Sequence, residues 1–394
     1  MADRTKIEWT DATVNAVNGC TVVSPGCTNC YAMRLAGTRM RDHPTRAGLT
    51  VDTKAGPVWN GQVRLNEAAL LQPLRWRRPR RIFWNAHGDL FHESVPDEWI
   101  DRVFAVCALT PQHQHQILTK RSARMRDYLS TRAGDWMIVW PDANPPGSLP
   151  ITRHEQRQAM QGKGWPDARL RPSFPLPNVW LGVSAEDQTR ADERIPDLLA
   201  TPAAVRFVSA EPLLGEIRLD AVDAAGWDEC FTKPDARGRL NALTGWCYGE
   251  ERIGTAWEDW CAGGPDEHGM GGPPDWPKPG WAKLDWVIAG GESGPGARPM
   301  HPDWARSLRD QCTAAGVPFF FKQWGEWHPC EMEEDGVCRP MPGHGPFNSW
   351  SAPMFDADAT QGWNWRLTGK AHAGRTLDGR TWDELPAGGG APHG

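Results

Sequence analysis

Three cysteines near the N-terminus have the residue type and the spacing of a metal-binding loop. Cys20 and Cys27 are separated by six residues, and Cys27 and Cys30 by two. The interval contains Ser24–Gly26, a Ser-Pro-Gly sequence that favours a turn, so we expect the three thiols to lie on one loop. Three thiolates on such a loop can hold three irons of a cubane iron–sulfur cluster and leave the fourth iron open to a ligand.

Two other interpretations of these cysteines stay open. A catalytic zinc ion also takes three protein ligands, whereas a structural zinc site needs a fourth. No fourth Cys or His lies within ten residues of the loop. Buried cysteines that bind no metal are the third interpretation, although a loop containing Gly and Pro favours them least.

The composition is that of an ordinary globular protein, with 40% hydrophobic and 23% charged residues in a chain of 394. Its net charge of −6 and isoelectric point near 6.1 exclude a globally basic nucleic-acid-binding protein. No apolar run is long enough to span a bilayer, and the N-terminus has no signal-peptide core. We therefore expect a cytoplasmic protein whose ten cysteines are metal ligands and free thiols rather than disulfides.

One segment is strongly basic despite the acidic chain. Arg75–Arg81 contains five arginines in seven positions, together with Trp76. Arginines beside an aromatic ring suit phosphate contact and base stacking. A solvated turn that leads into a strand is the alternative interpretation.

Short apolar runs that end in polar residues or Gly predict a parallel sheet. A parallel strand is buried on both faces, so it reads as a continuous run of Val, Ile, Leu, Phe and Trp. The runs are Arg81–Asn85, His115–Thr119, Val179–Ser184, Val205–Ser209, Trp286–Gly290 and Pro318–Lys322, preceded by a first strand near Thr13–Val17.

Helical patterns lie between these strands. One helix begins at Pro96, one at Pro302, and a weaker one covers Arg190–Ala200. Cys107 and Cys312 fall on the apolar faces of the first two, so we expect both to be core residues. Alternating strands and helices predict an α/β fold: a parallel βα barrel, partial or complete, of six to eight strands.

The barrel is expected over residues 1–327, with two loop-rich insertions at about 134–177 and 220–283, followed by a loop-rich C-terminal tail at 328–394. The second insertion holds three further cysteines without a C-x-x-C motif, so a second metal site stays an open question for Cys230, Cys247 and Cys261. The last ten residues, Leu385–Gly394, are rich in Gly and Pro and are expected to be disordered.

Polar residues follow almost every predicted strand. In parallel α/β folds the reacting groups gather at the carboxyl ends of the strands. A single such residue can equally be a helix cap or part of a solvated loop, but six successive strands deliver polar groups to the same rim. The candidates are Asp89, Lys120, Ser184, Glu186, Glu211, Glu292 and Lys322.

A cysteine loop that ends in Asn-Cys-Tyr-Ala and precedes a βα series with polar strand ends resembles the radical S-adenosylmethionine superfamily, in particular the branch that contains spore photoproduct lyase. The segments I-E-W-T-D-A-T, F-V-S-A-E-P-L-L-G, V-I-A-G-G-E-S-G and F-F-F-K-Q-W-G-E-W resemble a phage-associated family of unassigned activity over residues 5–327. The chain departs from the superfamily motif, because six residues rather than three separate its first two cysteines.

The resemblance implies a [4Fe–4S] cluster on Cys20, Cys27 and Cys30, with S-adenosylmethionine on the open iron. It implies that Asp89 contacts the methionyl amine and that Ser184 and Glu186 meet the ribose or the carboxylate. Four further candidates for catalysis or substrate contact are Lys120, Glu211, Glu292 and Lys322.

By the same resemblance, the radical acts on a nucleic acid or a nucleotide and an electron donor is required. The location would be the host cytoplasm if the chain is phage-encoded. Two alternatives remain at this point. One is a zinc-dependent hydrolase that uses the same cysteines with a Glu of the rim as base. The other is a non-catalytic nucleic-acid-binding phage protein whose metal is structural.

Overall fold

A parallel sheet of seven strands forms the centre of the fold. The computed structural model describes residues 5–132, 175–223, 238–249, 282–332, 338–340, 354–356 and 363–387. The strands are β1 Ala12–Val14, β2 Arg81–Trp84, β3 Gln114–Thr119, β4 Val179–Ser184, β5 Val205–Ala210, β6 Trp286–Gly290 and β7 Phe319–Gln323. They are parallel, lie in chain order, and curl into a half-barrel. The predicted partial parallel βα barrel is therefore confirmed.

Helices connect the strands and cover the outer face of the sheet. They are α1 Tyr31–Gly37, α2 Asp97–Leu109, α3 Ser122–Arg132, α4 Gln188–Ala200 and α5 Pro302–Ala315, with short helical turns at Glu67–Leu70 and Lys370–Ala373. The side chain of Asp187 caps α4 by accepting a hydrogen bond from the amide of Arg190 at 2.9 Å. Gly316 ends α5 in the left-handed conformation, with φ of 65°.

The two faces of the sheet carry different cores, because successive side chains of a strand point to opposite sides. The outer core packs the sheet against the helices and includes Cys107 and Cys312, both fully buried as their helical spacing predicts. The inner core is a layer of aromatic rings, built from Trp9, Phe83, Trp180, Phe207, Trp286 and Phe320.

The aromatic layer packs on the concave side of the half-barrel. Gly182 permits the layer to close, since a Cβ at this position would stand 2.5 Å from the ring of Phe207.

Smaller sheets surround the half-barrel. Two of them pair Thr50–Thr53 with Gly56–Trp59 and Val17–Asn18 with Arg64–Leu65. In a third, Gly238–Asn241 is the central strand between Val222–Asp223 and Trp246–Gly249. The first predicted insertion lies outside the described residues except for its last three, as do Cys230, Cys261 and the side chain of Cys247. In the parts of the chain that the structure describes, no helix has the length and apolarity needed to cross a membrane.

The C-terminal region, expected to be loop-rich, contains regular structure. A four-stranded antiparallel sheet joins Trp327–Met332, Cys338–Pro340, Met354–Asp356 and Trp363–Leu367, and a hairpin pairs Thr376–Leu377 with Arg380–Thr381. Leu385 packs against the inner aromatic layer, whereas the last seven of the ten residues expected to be disordered lie outside the description.

Residues that follow this hairpin lie along the outer edge of β7. The amide of Phe321 donates to the carbonyl of Trp382 at 2.9 Å, and the indole of Trp286 donates to the carbonyl of Glu384 at 2.8 Å. The C-terminal segment thus covers an otherwise open sheet edge.

One expectation about the cysteines is corrected. Cys330 is disulfide-bonded, whereas Cys20, Cys27, Cys30, Cys107 and Cys312 are free thiols. The expectation rested on the compartment inferred from the sequence, and compartment alone does not show which cysteines the fold brings side by side.

Candidate functional site

The cysteine loop, defined here as residues 19–30, lies across the carboxyl ends of the strands. It begins where Gly19 bridges to Gly88, just beyond β2. Residues Pro25–Cys27 form a single 3-10 turn, and Cys30 immediately precedes the first turn of α1. The loop therefore crosses the open end of the half-barrel.

Glu186, at the end of β4, fastens the middle of the loop. One carboxylate oxygen accepts from the amide of Gly26 at 3.1 Å, and the other accepts from Lys120 and from Arg194, each at 3.0 Å. Burial raises the pKa of Glu186, but the cations and hydrogen bonds outweigh it and hold the pKa at about 2. A Cβ on Gly26 would stand 3.0 Å from the Glu186 carboxyl carbon, so glycine lets the two meet.

Glu292, at the end of β6, fastens the far side of the loop. Its oxygens accept from Asn29 Nδ2 at 3.0 Å and from Arg298 Nη2 at 2.6 Å. Arg298 Nη2 also donates to the carbonyl of Pro25 at 2.9 Å. Burial raises the pKa of Glu292, yet these hydrogen bonds give a net lowering. Two acids predicted as cofactor or catalytic groups thus hold the loop in place.

Asp89 and Arg121 hold the first cysteine. Arg121 Nη1 donates to Cys20 Sγ at 3.3 Å and to Asp89 Oδ2 at 3.2 Å. The Asp89 carboxylate also accepts from Thr119 Oγ1 at 2.7 Å and from the amides of Phe91 and Lys120, both at 3.0 Å. The predicted contact of Asp89 with a bound amine would have to share a carboxylate that already accepts four hydrogen bonds from the chain.

Burial also governs the cysteines themselves. It raises the pKa of Cys20 to about 12, with Arg121 acting in the opposite direction, and it raises the pKa of Cys30. Because their pKa values are raised, the thiols of Cys20 and Cys30 are protonated at neutral pH, and a metal that binds them must displace these protons.

The three cysteines and most of the predicted rim residues line one cavity. Its volume is about 650 Å³, within the range of small-molecule sites. Besides the cysteines, the lining includes Asp89, Lys120, Ser184, Glu211, Glu292 and Lys322. Glu186 lies behind the loop, where its side chain is fully buried. The structure thus brings the sequence-predicted groups together at one rim.

Glu211 and Lys322 form an ion pair inside the cavity, apart from the contacts that fasten the loop. Lys322 Nζ lies 2.7 Å from Glu211 Oε1, and Ser209 Oγ donates to Glu211 Oε2 at 3.1 Å. Gly290 makes room for the pair, because a Cβ there would stand 2.8 Å from Glu211 Oε1. This pair is the charged group of the cavity best placed to meet a bound molecule.

Several residues of the site were not predicted as site residues. Arg194 and Arg298 belong to α4 and to the loop after β6, and Asn29 is a polar residue inside the cysteine loop. Each acts by contacting a residue that is remote in sequence or lies on another element. Only Arg194 lies close in sequence to its partner: it is on α4, the helix that follows Glu186, so their pairing could have been predicted from the sequence.

The basic segment Arg75–Arg81 lies at the opposite rim. It precedes β2 and is therefore at the amino ends of the strands. Arg81 pairs with Asp11 at 2.8 Å, and the guanidinium of Arg80 stacks 4.6 Å above the ring of Trp76. Arg77 and Arg78 are exposed and belong to the same segment, at the end of the sheet opposite the cavity.

The arrangement of the cysteines bears on which metal they suit. Among the described residues, no three Cys, His, Asp or Glu side chains converge on a point where one metal ion could bind. Tetrahedral zinc, with Zn–S bonds of about 2.3 Å, requires sulfurs about 3.8 Å apart. A cubane cluster takes each thiolate on a different iron, so its ligands need not converge on one atom. Cysteine sulfurs are donors that both a zinc ion and an iron–sulfur cluster take.

Comparison with protein families gives one match. A family model described as "Protein of unknown function (DUF5131)" covers residues 4–386. The chain belongs to the DUF5131 family. No curated protein and no solved structure matches it. The family match spans the half-barrel, the cysteine loop and the C-terminal segment alike.

Proposed function

We propose that this DUF5131 protein is a radical S-adenosylmethionine enzyme whose substrate is a nucleic acid or a nucleotide. One observation carries the proposal: the three cysteines of a single loop line one cavity at the carboxyl end of a parallel half-barrel, together with charged strand-end residues. In this proposal Cys20, Cys27 and Cys30 hold a [4Fe–4S] cluster, and S-adenosylmethionine shares the cavity with the substrate.

When bound, these groups supply one-electron cleavage of the sulfonium to methionine and a 5′-deoxyadenosyl radical that abstracts hydrogen from the substrate, the electron coming from a donor protein. The chain itself supplies position and shielding. Glu186, Glu292 and Arg121 fix the loop, and the aromatic layer closes the cavity floor against water. Radical chemistry needs such a shield from side reactions.

The remaining cavity residues have roles that follow from their contacts. Lys120 shares its carboxylate partner with Arg194, so Glu186 keeps a cationic partner if Lys120 binds an anionic group of a ligand. Ser184 ends β4 beside it and stays a candidate for contact with the ribose. The Glu211–Lys322 pair is a candidate for substrate contact on the opposite side of the cavity.

Anaerobic reconstitution with iron and sulfide tests the proposal. We expect a brown protein with a reducible iron–sulfur chromophore, and 5′-deoxyadenosine formation when S-adenosylmethionine and a reductant are added. The variant Cys27→Ser should lose both, whereas Cys312→Ala, in the outer core, should keep the chromophore. A colourless protein that binds one zinc ion would instead support the hydrolase, and metal binding without turnover would support a structural metal.

A further inference from the structure

A basic surface lies next to the cavity mouth, on the module formed by α1 and the hairpin Thr50–Trp59. Residues 31–66 contain six Lys or Arg and only two Asp, although the whole chain has a net charge of −6. Arg34, Arg39 and Lys54 form no ion pair with any residue that the structure describes. We call Arg34, Arg39 and Lys54, together with Tyr31, the basic face.

The contacts of the module join the parts of the chain that carry these cations. Arg41 pairs with Asp52, which joins the chain after α1 to the first strand of the hairpin. Arg39 and Lys54 each stand two positions from that ion pair. Tyr31 and Arg34 are one turn apart and so lie on the same side of α1.

The opposite side of α1 makes the module rigid. Ala32, Met33 and Ala36 are buried with Leu49 and Trp59 in a small core of their own. The basic face is thus preformed and does not have to be ordered when a partner binds.

Tyr31 connects the basic face to the cavity. It follows Cys30, lines the cavity, and is 55% exposed. Its hydroxyl donates to the carbonyl of Ala86 at 2.9 Å, and its ring meets the His87 ring edge-on at 5.9 Å between centroids. These contacts hold an exposed aromatic ring at the entrance, and an aromatic platform beside a row of cations is how proteins bind unpaired bases.

We infer that single-stranded nucleic acid binds the basic face, with phosphates on Arg34, Arg39 and Lys54 and one base stacked on Tyr31 at the cavity mouth. The inference rests on the proposed function and assigns its substrate surface. A single strand is favoured over a duplex because a base reaches a cavity of this kind only when unpaired. The Arg75–Arg81 segment cannot contact the same nucleotides of the nucleic acid, since it lies at the other end of the β-sheet.

Binding of fluorescent single-stranded DNA and RNA oligonucleotides by the full chain, measured by anisotropy over a series of salt concentrations, tests the inference. Neutralising Arg34, Arg39 and Lys54 to Gln should weaken binding at least tenfold and reduce the salt slope by about 0.7 for each phosphate that is no longer neutralised, or about 2 in all. Tyr31→Ala should weaken binding about fivefold or more with little change in slope, because stacking is not ionic. Comparing the affinities for the DNA and the RNA oligonucleotides shows which of the two nucleic acids the surface prefers.

Arg75, Arg77 and Arg78 changed together to Gln provide the matched control, with the same loss of charge at the opposite rim and an expected change below twofold. Thermal melting of every variant checks folding. The inference is overturned if only the control variant loses affinity, or if the wild-type chain binds neither oligonucleotide. It is also overturned if the basic-face variant still binds oligonucleotides but no longer binds an acidic electron-donor protein. The wild-type chromophore is read separately, so its absence would count against the proposed function and not against the surface.

Discussion

Arg121 makes Cys20 unlike the other two cysteines of the loop. Its guanidinium is buried, held by Asp89, and donates to the Cys20 sulfur at 3.3 Å. A hydrogen bond from a cation stabilises negative charge on a sulfur ligand, and hydrogen bonds to cysteine sulfurs are one of the means by which proteins set cluster potentials. Arg121 is therefore a positioning and tuning residue in the proposed enzyme.

Replacing Arg121 by Gln should make the reconstituted cluster harder to reduce. We expect the reduction equilibrium to shift about tenfold, which corresponds to a midpoint potential about 59 mV lower. A redox titration followed by electron paramagnetic resonance measures it. Arg126→Gln, on the helix that begins just after Arg121 and paired with Asp197, is the control. An unchanged midpoint in a variant with full cluster content would contradict the prediction, and Arg121→Lys provides a second variant if Gln impairs loading.

The buried imidazole ring of His115 lets us predict how the free energy of unfolding depends on pH. Its Nδ1 accepts from the indole of Trp84 at 3.0 Å. The hydroxyl of Thr110 donates to the carbonyl of Val106, so His115 Nε2 must donate to Thr110 Oγ1, 3.0 Å away. The neutral tautomer is satisfied at both nitrogens. Burial, reinforced by neighbouring His113, lowers the pKa of His115 to about 3.

The unfolded chain binds a proton at this histidine below about pH 6.5, and the folded chain does not until about pH 3. Stability should therefore fall with decreasing pH in this window, by up to about 1.4 kcal/mol per pH unit from this group. Urea unfolding at pH 7 and pH 5 measures the loss. His115→Gln should reduce the difference between the two values, and an identical difference in wild type and variant would count against the assignment.

The cysteine loop is held as an element by carboxylates on two separate strands. Glu186 contacts it from the end of β4 and Glu292 from the end of β6. The position of the loop therefore depends on how far apart the sheet holds the ends of these two strands. The space between them is small, as Gly26 against Glu186 shows. A loop fastened in this way can keep three thiols in place before any metal arrives.

Loosening the loop should expose its thiols. Glu292→Ala removes the acceptor shared by Asn29 and Arg298, and charge-assisted hydrogen bonds of this kind contribute about 1.5–3 kcal/mol. We expect the metal-free protein to react with a thiol reagent about tenfold faster than wild type and to retain less iron after reconstitution. Glu193→Ala, which removes an exposed ion pair on α4, should react like wild type. Equal rates in both variants would show that Glu292 does not restrain the loop.

The elements also show what the sequence could and could not predict. Strands β4 and β6 were predicted with their observed limits, because a strand buried on both faces is a continuous apolar run with a polar stop. The gathering of the rim residues followed from parallel pairing. The fastening roles of Glu186 and Glu292 did not, since they depend on a loop that crosses the sheet from remote sequence. Strands such as Trp363–Leu367 also escaped, because their polar, Gly-rich context hides a pairing made only in the fold.

At the scale of the whole molecule, the C-terminal segment is part of the barrel rather than an appendage. Besides its bonds to β7, it provides Lys370, which pairs with Glu8 at 3.2 Å and lines the cavity together with Thr5 and Lys6. Residues that precede β1 and residues of the C-terminal segment thus meet in the gap between β1 and β7.

Removing residues 363–394 should consequently destabilise the whole sheet. The deletion bares the edge of β7 and uncovers Trp286 and Phe320 on the inner layer, and an exposed apolar edge promotes aggregation. We expect a lower melting temperature and aggregates that elute ahead of the wild-type peak in size-exclusion chromatography. The point variant Lys370→Gln should lose only the pair with Glu8 and elute like wild type. A truncated chain as stable as wild type would contradict this account.

The meeting of Glu8 with Lys370 also sets an order of events during synthesis. A ribosome releases the cysteine loop early, but the residue that pairs with Glu8 emerges only after nearly the whole half-barrel has been made. Until then the nascent chain has a cavity with one missing wall. The three thiols can therefore be reached through that side of the cavity until the residues around Lys370 have been made.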